Sequence, residues 1–364
     1  MKNNQDAERL IRADIARMKA YTPIIPIEVL SEHIGISAEG IIKLDGNENP
    51  YGCSPNVQRV LASYPYYHIY PDPEQRELRK ELEEYTGISA DHIVAGSGSD
   101  ELIELIMRLF IAPGDKVINC TPTFGMYSFL TEVYAGEVIE VPRDKGFAID
   151  LDRVKKAIKE GAKIIFIASP NNPSGNTIPE QEVLELLETG LVVVIDEAYY
   201  EFCGETMVPL VLQHGNLIVL RTFSKWAGIA GLRVGYGVFP RKLVGHLMKI
   251  KQPYNVNVAA QVAAIETLRD PDYRQKTIKA LLEERERLLI ELAELKSFQP
   301  LPSRANFILS HIGGGEASRV HHELQQRGIF VRYFDNARLK DYLRISIGKP
   351  EQTDALISAL KEIC

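Results

Sequence analysis

The stretch LVVVIDEAYYEF, residues 191–202, places five consecutive apolar residues directly before an aspartate and a glutamate. Three other runs are also largely apolar without alternation: KVINC (116–120), KIIFIA (163–168) and LIVL (217–220). Such runs predict strands that are buried on both faces, as the strands of parallel sheets are. Segments with helical spacing, such as VLELLE, lie between them. The alternation predicts an α/β fold with a mostly parallel central sheet covered by helices on both faces.

The carboxy-terminal part of the chain has a different pattern. A long charged segment with helical spacing, residues 273–296, precedes a mixture of strand-like and helical segments, NFILS, SRVHHELQQRG, IFVRYF and LRISIG. This mixture predicts a smaller α+β domain. We therefore expect an N-terminal arm over residues 1–45 that packs with the small domain or a partner subunit. A large domain would cover residues 46–254 and the small domain residues 255–364.

Composition and charge restrict the class of function. The chain has 364 residues, of which 45% are hydrophobic and 25% charged, and its formal net charge is −7. A general nucleic-acid-binding protein normally carries a basic surface, so this acidic chain argues against that class. No apolar run is long enough to cross a bilayer, and the first 21 residues lack the apolar centre of a signal peptide. We expect neither a nucleic-acid nor a membrane partner, and a cytoplasmic location.

The cysteines and histidines do not form a recognisable framework. The four cysteines, at positions 53, 120, 203 and 364, are far apart and include no CxxC pair. In a chain of this size that pattern predicts reduced thiols and an intracellular protein. No Cys/His spacing suggests a metal site, and the adjacent His321 and His322 are expected on a solvated helix face.

Polar or aromatic side chains follow each of the four apolar runs. These are Phe124, Asn172, Asp196 and Lys225. Because ligands bind outside the carboxyl ends of parallel strands, we expect these side chains to converge at one edge of the sheet. Lys225 belongs to RTFSKWAGIAGLRVG (221–235) and has no carboxylate within four residues. Burial without a partner would lower the pKa of its amine and make it a usable nucleophile.

A further segment, AGSGSDELIELIMRLF (95–110), combines a Gly/Ser turn with the start of a helix. Free backbone N–H groups and the helix dipole predict an anion site there. The segment lacks the third glycine and the clean preceding strand of a dinucleotide-binding motif, which argues against hydride transfer. A lysine, an aspartate, an aromatic ring and a phosphate site together suit pyridoxal 5′-phosphate. The lysine forms a Schiff base with it and the acid keeps its pyridine nitrogen protonated.

Three segments, SPNNPSG, DEAYYEF and FSKWAGIAGLRVG, resemble the motifs of the fold-type I, pyridoxal-phosphate-dependent class I and II aminotransferases. The resemblance extends from about residue 40 to the carboxyl terminus. Within that family, LDGNENPYG (44–52), YPDP (70–73), GSGSDE (96–101), PTFGMY (122–127) and LRISIG (343–348) are similar to the histidinol-phosphate aminotransferase branch. The resemblance implies a transferase that works as a homodimer.

The resemblance also implies a role for each matching residue at the cofactor. Lys225, Asp196 and Tyr199 would be the catalytic residues: Lys225 would bind the cofactor covalently and transfer protons, and Asp196 would pair with the pyridine nitrogen. Tyr199 and Asn172 would form hydrogen bonds with the phenolic oxygen, and Phe124 would stack on the ring. The cofactor phosphate would be held by Ser97, Gly98, Ser99, Asp100, Thr222, Ser224, Arg233 and, from the other subunit of the dimer, Tyr70.

For the substrate, the resemblance implies that Arg332 and Arg344 bind the anionic end, with Tyr51 and Asn306 nearby. The reaction would be a ping-pong transamination of histidine biosynthesis. Glutamate would leave as 2-oxoglutarate, and imidazole-acetol phosphate would accept the amino group and become histidinol phosphate. One site would then accept a carboxylate and a phosphate ester, and the planar guanidinium group suits either anion.

Several alternatives remain open from the sequence. Tyr64 could take the place of Tyr70, and Arg338 that of Arg332. Trp226, directly after the lysine, could pack in the core or narrow the pocket. An aromatic or broad-specificity aminotransferase would use the same cofactor site, and a threonine-phosphate decarboxylase would also share the arginines. A non-catalytic regulatory protein with this fold is a further alternative, and the intact set of motif residues argues against it.

Overall fold

The computed structural model describes residues 7–364, so the first six residues of the expected N-terminal arm lie outside it. The described strands are β1 Ile42–Leu44, β2 Ile93–Gly96, β3 Lys116–Asn119, β4 Glu137–Glu140, β5 Ala162–Ala168, β6 Val192–Asp196, β7 Leu217–Thr222, β8 Gly235–Val238, β9 Phe298–Pro300, β10 Phe307–Ile312, β11 Ile329–Tyr333 and β12 Tyr342–Ser346. These strands form two separate sheets.

The α-helices of the described residues are distributed along the whole chain. They are α1 Ala13–Arg17, α2 Ile27–Ile34, α3 Pro55–Ser63, α4 Arg76–Thr86, α5 Gly98–Phe110, α6 Met126–Val133, α7 Leu151–Lys159, α8 Glu180–Leu187, α9 Tyr200–Cys203, α10 Arg241–Ile250, α11 Val258–Leu268, α12 Pro271–Glu294, α13 Ala317–Gln326 and α14 Pro350–Ile363. None of them is long and apolar enough to cross a membrane.

The larger sheet has seven strands in the order β2-β8-β7-β6-β5-β3-β4. The strands from β4 to β7 are parallel, and β8 runs antiparallel to both β7 and β2. The four apolar runs of the sequence are β3, β5, β6 and β7, which confirms the predicted mostly parallel sheet. Val193 and Val194 show why these runs do not alternate, because they belong to apolar cores on opposite faces of the sheet.

The smaller sheet has five strands in the order β1-β11-β12-β10-β9. The first strand comes from residues 42–44 and pairs parallel with β11, whereas the other neighbours in this sheet are antiparallel. The long helix α12 precedes β9 in the chain, and α11 packs against α3 and α4. The boundaries at residues 45 and 254 remain predictions.

Helix α5 begins directly after β2, at the carboxyl edge of the larger sheet, and its start depends on a glycine. Gly98 has a φ of +78°, and a Cβ atom there would lie 2.6 Å from Nη2 of Arg233. Glycine both adopts this left-handed conformation without strain and leaves room for the guanidinium group. The local sequence therefore brings the positive end of a 13-residue helix and an arginine side chain to one point.

Candidate active site

The carboxyl ends of the parallel strands open into a cavity of about 830 Å³. Phe124, Asn172, Asp196 and Lys225, which follow the four apolar runs of the sequence, all line it. The structure thus brings together the side chains that the strand pattern places at one edge. Residues of the smaller sheet, Arg344 among them, close the opposite side, so the cavity lies between the two sheets.

Lys225 projects its amine into this cavity without a carboxylate partner among the described residues. Its Nζ atom donates a hydrogen bond to the carbonyl oxygen of Gly46 at 3.1 Å and lies 5.9 Å from the centroid of the Tyr199 ring. Burial, and then the positive charge of Arg344, lower the pKa of this amine to about 8. A substantial fraction of the amine is therefore neutral near physiological pH, as a nucleophilic lysine requires.

Asp196 ends β6 and presents a buried carboxylate to the cavity. Its Oδ2 atom accepts a hydrogen bond from the Tyr127 hydroxyl at 2.7 Å, and Oδ1 accepts one from the backbone N–H of Ala198 at 3.1 Å. Burial raises the pKa of Asp196 to about 6, and the Tyr127 hydroxyl opposes that rise. A buried carboxylate with no cation in contact among the described residues suits a ligand that brings a protonated nitrogen.

Tyr199 and Asn172 are already engaged with polar neighbours. The hydroxyl of Tyr199 accepts a hydrogen bond from Nδ2 of Asn47 at 2.9 Å, and Oδ1 of Asn172 accepts one from Nη1 of Arg344 at 2.7 Å. The Tyr199 hydroxyl proton and the Asn172 amide N–H groups remain available to donate. Burial raises the pKa of Tyr199, so the hydroxyl stays protonated and can donate to an anionic oxygen.

A cluster of donors lies at the start of α5. Arg233 forms an ion pair with Asp100, with Nη2 and Oδ2 2.7 Å apart, and its Nη1 donates to Oγ of Ser224 at 3.3 Å. The Thr222 hydroxyl lies 3.0 Å from the same Ser224 oxygen. These four residues and Ser99 line the cavity. A helix start with a guanidinium group and two hydroxyls has the donors that a phosphate group needs.

Ser97 and Gly98 belong to the same helix start but do not line the cavity. The backbone N–H of Ser97 is already bound to the Glu101 carboxylate at 2.5 Å. Gly98 has the structural role described above, since it allows Arg233 to approach the helix. The phosphate contacts predicted for Ser97, Gly98, Ser99 and Asp100 all remain predictions, and of these four residues only Ser99 and Asp100 line the cavity.

The two predicted substrate arginines are cross-strand neighbours in the smaller sheet, with Arg332 on β11 opposite Arg344 on β12. Both line the cavity. Arg344 is tied down, because it donates to Asn172 and to the carbonyl oxygen of Asp45, and burial lowers its pKa. Arg332 forms no hydrogen bond or ion pair with the described residues, and its guanidinium lies 5.8 Å from the Phe334 ring centroid.

Arg338, the alternative to Arg332, is placed differently. It also lines the cavity, but its Nη2 atom donates to the carbonyl oxygen of Asp144 at 2.6 Å. Its guanidinium group lies 4.7 Å from the centroid of the Phe147 ring. Arg338 donates a hydrogen bond to the protein, whereas Arg332 forms no hydrogen bond or ion pair with the described residues, so the geometry favours Arg332 as the anion ligand.

A comparison with known proteins identifies the family of the chain. The family described as "Aminotransferase class I and II" matches residues 39–360. The chain belongs to this family. A histidinol-phosphate aminotransferase of Dehalococcoides mccartyi is 47% identical, with 98% of each chain covered. A chloroplastic one of Nicotiana tabacum is 46% identical, covering 99% of this chain and 88% of that protein.

Solved structures support the same assignment. The histidinol-phosphate aminotransferase of Sinorhizobium meliloti, in complex with pyridoxal 5′-phosphate, is similar with a TM-score of 0.89 and 26% identity over 97% of both chains. Together with the family match, this confirms the predicted fold type, the aminotransferase class and pyridoxal phosphate as the cofactor. The roles of individual residues are not established by these similarities and remain predictions.

The residues of this aminotransferase fit that cofactor. The amine of Lys225 is free of carboxylate contacts and faces the same cavity as the buried Asp196 carboxylate and the donors around Arg233. These three features match the aldehyde, the pyridine nitrogen and the phosphate of the cofactor in chemical type. Within residues 7–364, no group of three or more His, Cys, Asp or Glu side chains is arranged to hold a metal ion.

Two predicted substrate ligands lie outside the cavity lining. Asn306 is buried, and its Nδ2 atom donates to the carbonyl oxygen of Asn47 at 2.9 Å. Asn306 therefore supports the loop that carries Asn47, which in turn contacts Tyr199. Tyr51 is half-buried, and the Lys349 amine lies 5.6 Å from its ring centroid. Substrate contacts of Asn306 and Tyr51 remain predictions.

Tyr70 and Tyr64 have contrasting surroundings. Tyr70 is 77% exposed and stacks on Tyr254, with ring centroids 4.4 Å apart. Tyr64 packs edge-on against Tyr66 and Tyr67, at 5.9 and 5.2 Å. Neither lines the cavity of its own chain. Tyr70 is therefore the more exposed of the two, since Tyr64 is half-buried.

Trp226 packs in the core and does not narrow the pocket. It is 2% exposed, absent from the cavity lining, and stacked on Tyr85 with ring centroids 6.2 Å apart. The Arg274 guanidinium lies 5.9 Å from the centroid of the Trp226 ring. The backbone carbonyl oxygen of Trp226 accepts a hydrogen bond from Asn49 at 2.6 Å. The side chain thus helps to hold the loop that carries Lys225 through contacts outside the cavity.

Sequence reasoning did not single out three residues of the site. Tyr127 bonds to Asp196, Asn47 bonds to Tyr199, and Tyr21 lines the cavity beside Thr22 and Ile24. Tyr127 and Asn47 belong to motifs that were recognised, PTFGMY and LDGNENPYG, but their partners are distant in sequence. Nothing in the sequence around Tyr21 indicates that the N-terminal arm reaches the cavity.

Proposed function

We propose that this aminotransferase transfers the amino group of glutamate to imidazole-acetol phosphate and so forms histidinol phosphate and 2-oxoglutarate, a step of histidine biosynthesis. The pair Arg332 and Arg344 is the observation that carries the proposal, because two guanidinium groups on neighbouring strands face the same cavity as Lys225. The names of the 46–48% identical relatives support the same substrate.

The arginine pair suits a substrate whose anionic end is either a carboxylate or a phosphate ester. Arg344 is fixed by Asn172 and Asp45, so it offers a preorganised contact at one position. Arg332 forms no hydrogen bond or ion pair with the described residues, so it can adjust to the larger, dianionic phosphate group. Guanidinium groups bind both anions with paired hydrogen bonds, whereas one lysine would act as a point charge.

The proposed mechanism divides the chemistry between cofactor and protein. Bound pyridoxal phosphate supplies an electron sink for the charge that develops at the substrate Cα atom. Lys225 would hold the cofactor through its amine and would act as general base and acid for the proton on the substrate Cα atom. Asp196 would keep a proton on the pyridine nitrogen, and Tyr199 and Asn172 would donate hydrogen bonds to the phenolic oxygen.

We also propose that the enzyme is a homodimer in which Tyr70 reaches the cofactor phosphate of the partner subunit. Support comes from a cluster of exposed aromatic and apolar side chains around this residue, Tyr66, Tyr67, Ile69, Tyr70 and Tyr254. A cluster of this kind on one surface is typical of a protein interface. The four cysteines, none of which is in a disulfide, support a cytoplasmic location.

A comparison of amino donors tests the substrate assignment. The holoenzyme is mixed in single turnover with histidinol phosphate, phenylalanine or threonine phosphate, and the loss of the cofactor absorbance band is followed. We expect histidinol phosphate to react at least about tenfold faster than phenylalanine, which corresponds to about 1.4 kcal/mol in the transition state. Comparable rates would identify a broad-specificity enzyme, and release of CO₂ from threonine phosphate would identify a decarboxylase.

A further inference from the structure

Tyr127 lies behind the candidate cofactor site and connects two of its predicted contacts. It occupies the first turn of α6 and is fully buried. Its hydroxyl donates to Oδ2 of Asp196 at 2.7 Å. Its ring stacks on Phe166, with centroids 5.0 Å apart, and meets the Phe124 ring edge-on at 5.6 Å. One side chain therefore contacts both the carboxylate expected at the pyridine nitrogen and the ring expected to stack on the cofactor.

A ring contact and a hydrogen bond to its backbone hold Tyr127 in position. Phe166 on β5 supports one face of its ring, and the Thr131 hydroxyl donates to its carbonyl oxygen at 2.7 Å. The hydroxyl therefore has little freedom to leave Asp196. The second carboxylate oxygen of Asp196 is held by the Ala198 N–H, so the two donors fix the orientation of the carboxylate. Such a buried hydrogen bond to a charged group is stronger than one between neutral groups.

We propose that Tyr127 is a positioning residue that keeps Asp196 ionised and aimed at the pyridine nitrogen of the cofactor. The proposal rests on the proposed role of Asp196 at that nitrogen. Tyr127 acts through Asp196. Its hydroxyl donates a hydrogen bond to the buried carboxylate and so favours the charged form of Asp196. The hydroxyl therefore strengthens binding of a cofactor whose ring nitrogen carries a proton.

Several groups around Asp196 and Tyr127 act on the pKa of the Asp196 carboxylate, and a substitution of Tyr127 should change only one of them. Burial is the main cause that raises the pKa of Asp196; the Asp100 charge raises it further, and Lys225 lowers it. Tyr199 and Arg143 are the other ionisable groups that act on Tyr127. Replacing only the hydroxyl of Tyr127 leaves all of these in place. The carboxylate then loses one stabilising donor, so its pKa rises and it takes up a proton at a higher pH.

The substitution Tyr127→Phe tests the proposal through cofactor binding and not through turnover. The dissociation constant of pyridoxal phosphate is measured by equilibrium dialysis between pH 5.5 and 8.5 for both proteins. We expect about tenfold weaker binding near pH 7, as for the loss of one hydrogen bond to a charged group. We also expect the pH at which affinity declines to move up by roughly one unit, since one pKa unit corresponds to a tenfold change.

Two results would overturn this role. Unchanged affinity would show that the hydroxyl is not needed, and a loss of the same factor at every pH would show a packing role only. The matched control is Tyr134→Phe. The hydroxyl of Tyr134 donates to Glu104 at 2.9 Å and does not line the cavity, so its removal should leave the affinity for the cofactor unchanged. Asp196→Asn separates the two proposals: if that variant binds the cofactor normally, the role of Asp196 fails, whereas a normal Tyr127→Phe beside a weak Asp196→Asn rejects only Tyr127.

Discussion

Arg221 and Glu197 form a buried ion pair that joins the ends of two neighbouring parallel strands, with Nη2 and Oε2 2.9 Å apart. Glu197 directly follows Asp196 at the end of β6, and Arg221 belongs to β7, four residues before Lys225. The Arg221 guanidinium also lies 3.4 Å from the centroid of the Tyr200 ring. The pair therefore fixes the relative positions of the two chain segments that carry Asp196 and Lys225.

Breaking this pair should destabilise the protein strongly. The Glu197 side chain is 1% exposed and that of Arg221 is 4% exposed. We expect Glu197→Gln to lower the free energy of unfolding by about 3 kcal/mol, because it leaves a buried guanidinium without its counter-charge. The matched control, Glu323→Gln, removes a partner of the exposed Arg319 and should lower the free energy of unfolding far less than Glu197→Gln does, because solvent screens the exposed pair. Urea unfolding of both variants measures the difference; equal costs would contradict the account.

The lowered pKa of Lys225 predicts the pH dependence of covalent attachment of the cofactor. Only the neutral amine reacts, so the rate should rise with pH and level off above the amine pKa. We expect an apparent pKa near 8 for Lys225 in place of its usual value near 10.4, because burial and Arg344 disfavour the ammonium form. Stopped-flow absorbance after mixing apoenzyme with pyridoxal phosphate measures this rate. A rate that still climbs steeply at pH 10 would show an unperturbed lysine.

Lys225→Ala should also prevent any covalent adduct that borohydride can reduce. The chain has other lysines, such as Lys43, but Lys43 is paired with Asp45 and Glu48 and does not line the cavity. Lys43→Ala is therefore the control that should retain the adduct. Mass spectrometry of the reduced protein locates the modified residue. An adduct that persists in the Lys225→Ala protein would mean that another lysine binds the cofactor.

The contrast between Arg332 and Arg338 predicts different effects of the same substitution. Arg332→Gln removes a guanidinium that forms no hydrogen bond or ion pair with the described residues, and it should raise the KM for histidinol phosphate about 10- to 100-fold, which corresponds to one or two charge-assisted hydrogen bonds. Arg338→Gln removes a side chain already bound to the Asp144 carbonyl and should change this KM by less than about threefold. Steady-state kinetics distinguishes the two, and a reversed order would assign the substrate anion to Arg338.

The exposure of Tyr70 predicts complementation between two inactive variants. Mixed dimers of Tyr70→Ala and Lys225→Ala chains contain one site with both residues intact if Tyr70 acts on the partner's cofactor. Unfolding and refolding the two proteins together should therefore restore activity that neither has alone. Tyr64→Ala replaces Tyr70→Ala in the control mixture. If no mixture gains activity, Tyr70 acts within its own chain or not at all.

The sequence predicted the part of this structure that depends on short-range patterns. Strands β5 and β6 are apolar on both faces, so their runs were recognisable, and the parallel arrangement then implied that Asp196 and Lys225 meet at one edge. The contacts of Tyr127 with Asp196 and of Lys225 with Gly46 were not predictable in this way. They join segments 69 and 179 residues apart and depend on the directions of individual side chains.

The direction of the Trp226 side chain is a second feature that the sequence did not determine. Its position next to Lys225 suggested either core packing or a narrower pocket, and the sequence could not decide between them. The structure directs the indole away from the cavity, toward Tyr85 and Arg274. Adjacent residues of an irregular loop can face opposite sides, and only the fold determines which.

The central claim is that the protein transfers an amino group between histidinol phosphate and 2-oxoglutarate. The ratio in which the two products form tests this claim most directly. The purified holoenzyme is incubated with histidinol phosphate and 2-oxoglutarate, and glutamate and imidazole-acetol phosphate are quantified over time. The account predicts that the two products form in equal amounts and that the Lys225→Ala protein forms neither. Loss of histidinol phosphate without glutamate, or equal turnover by the Lys225→Ala protein, would contradict it.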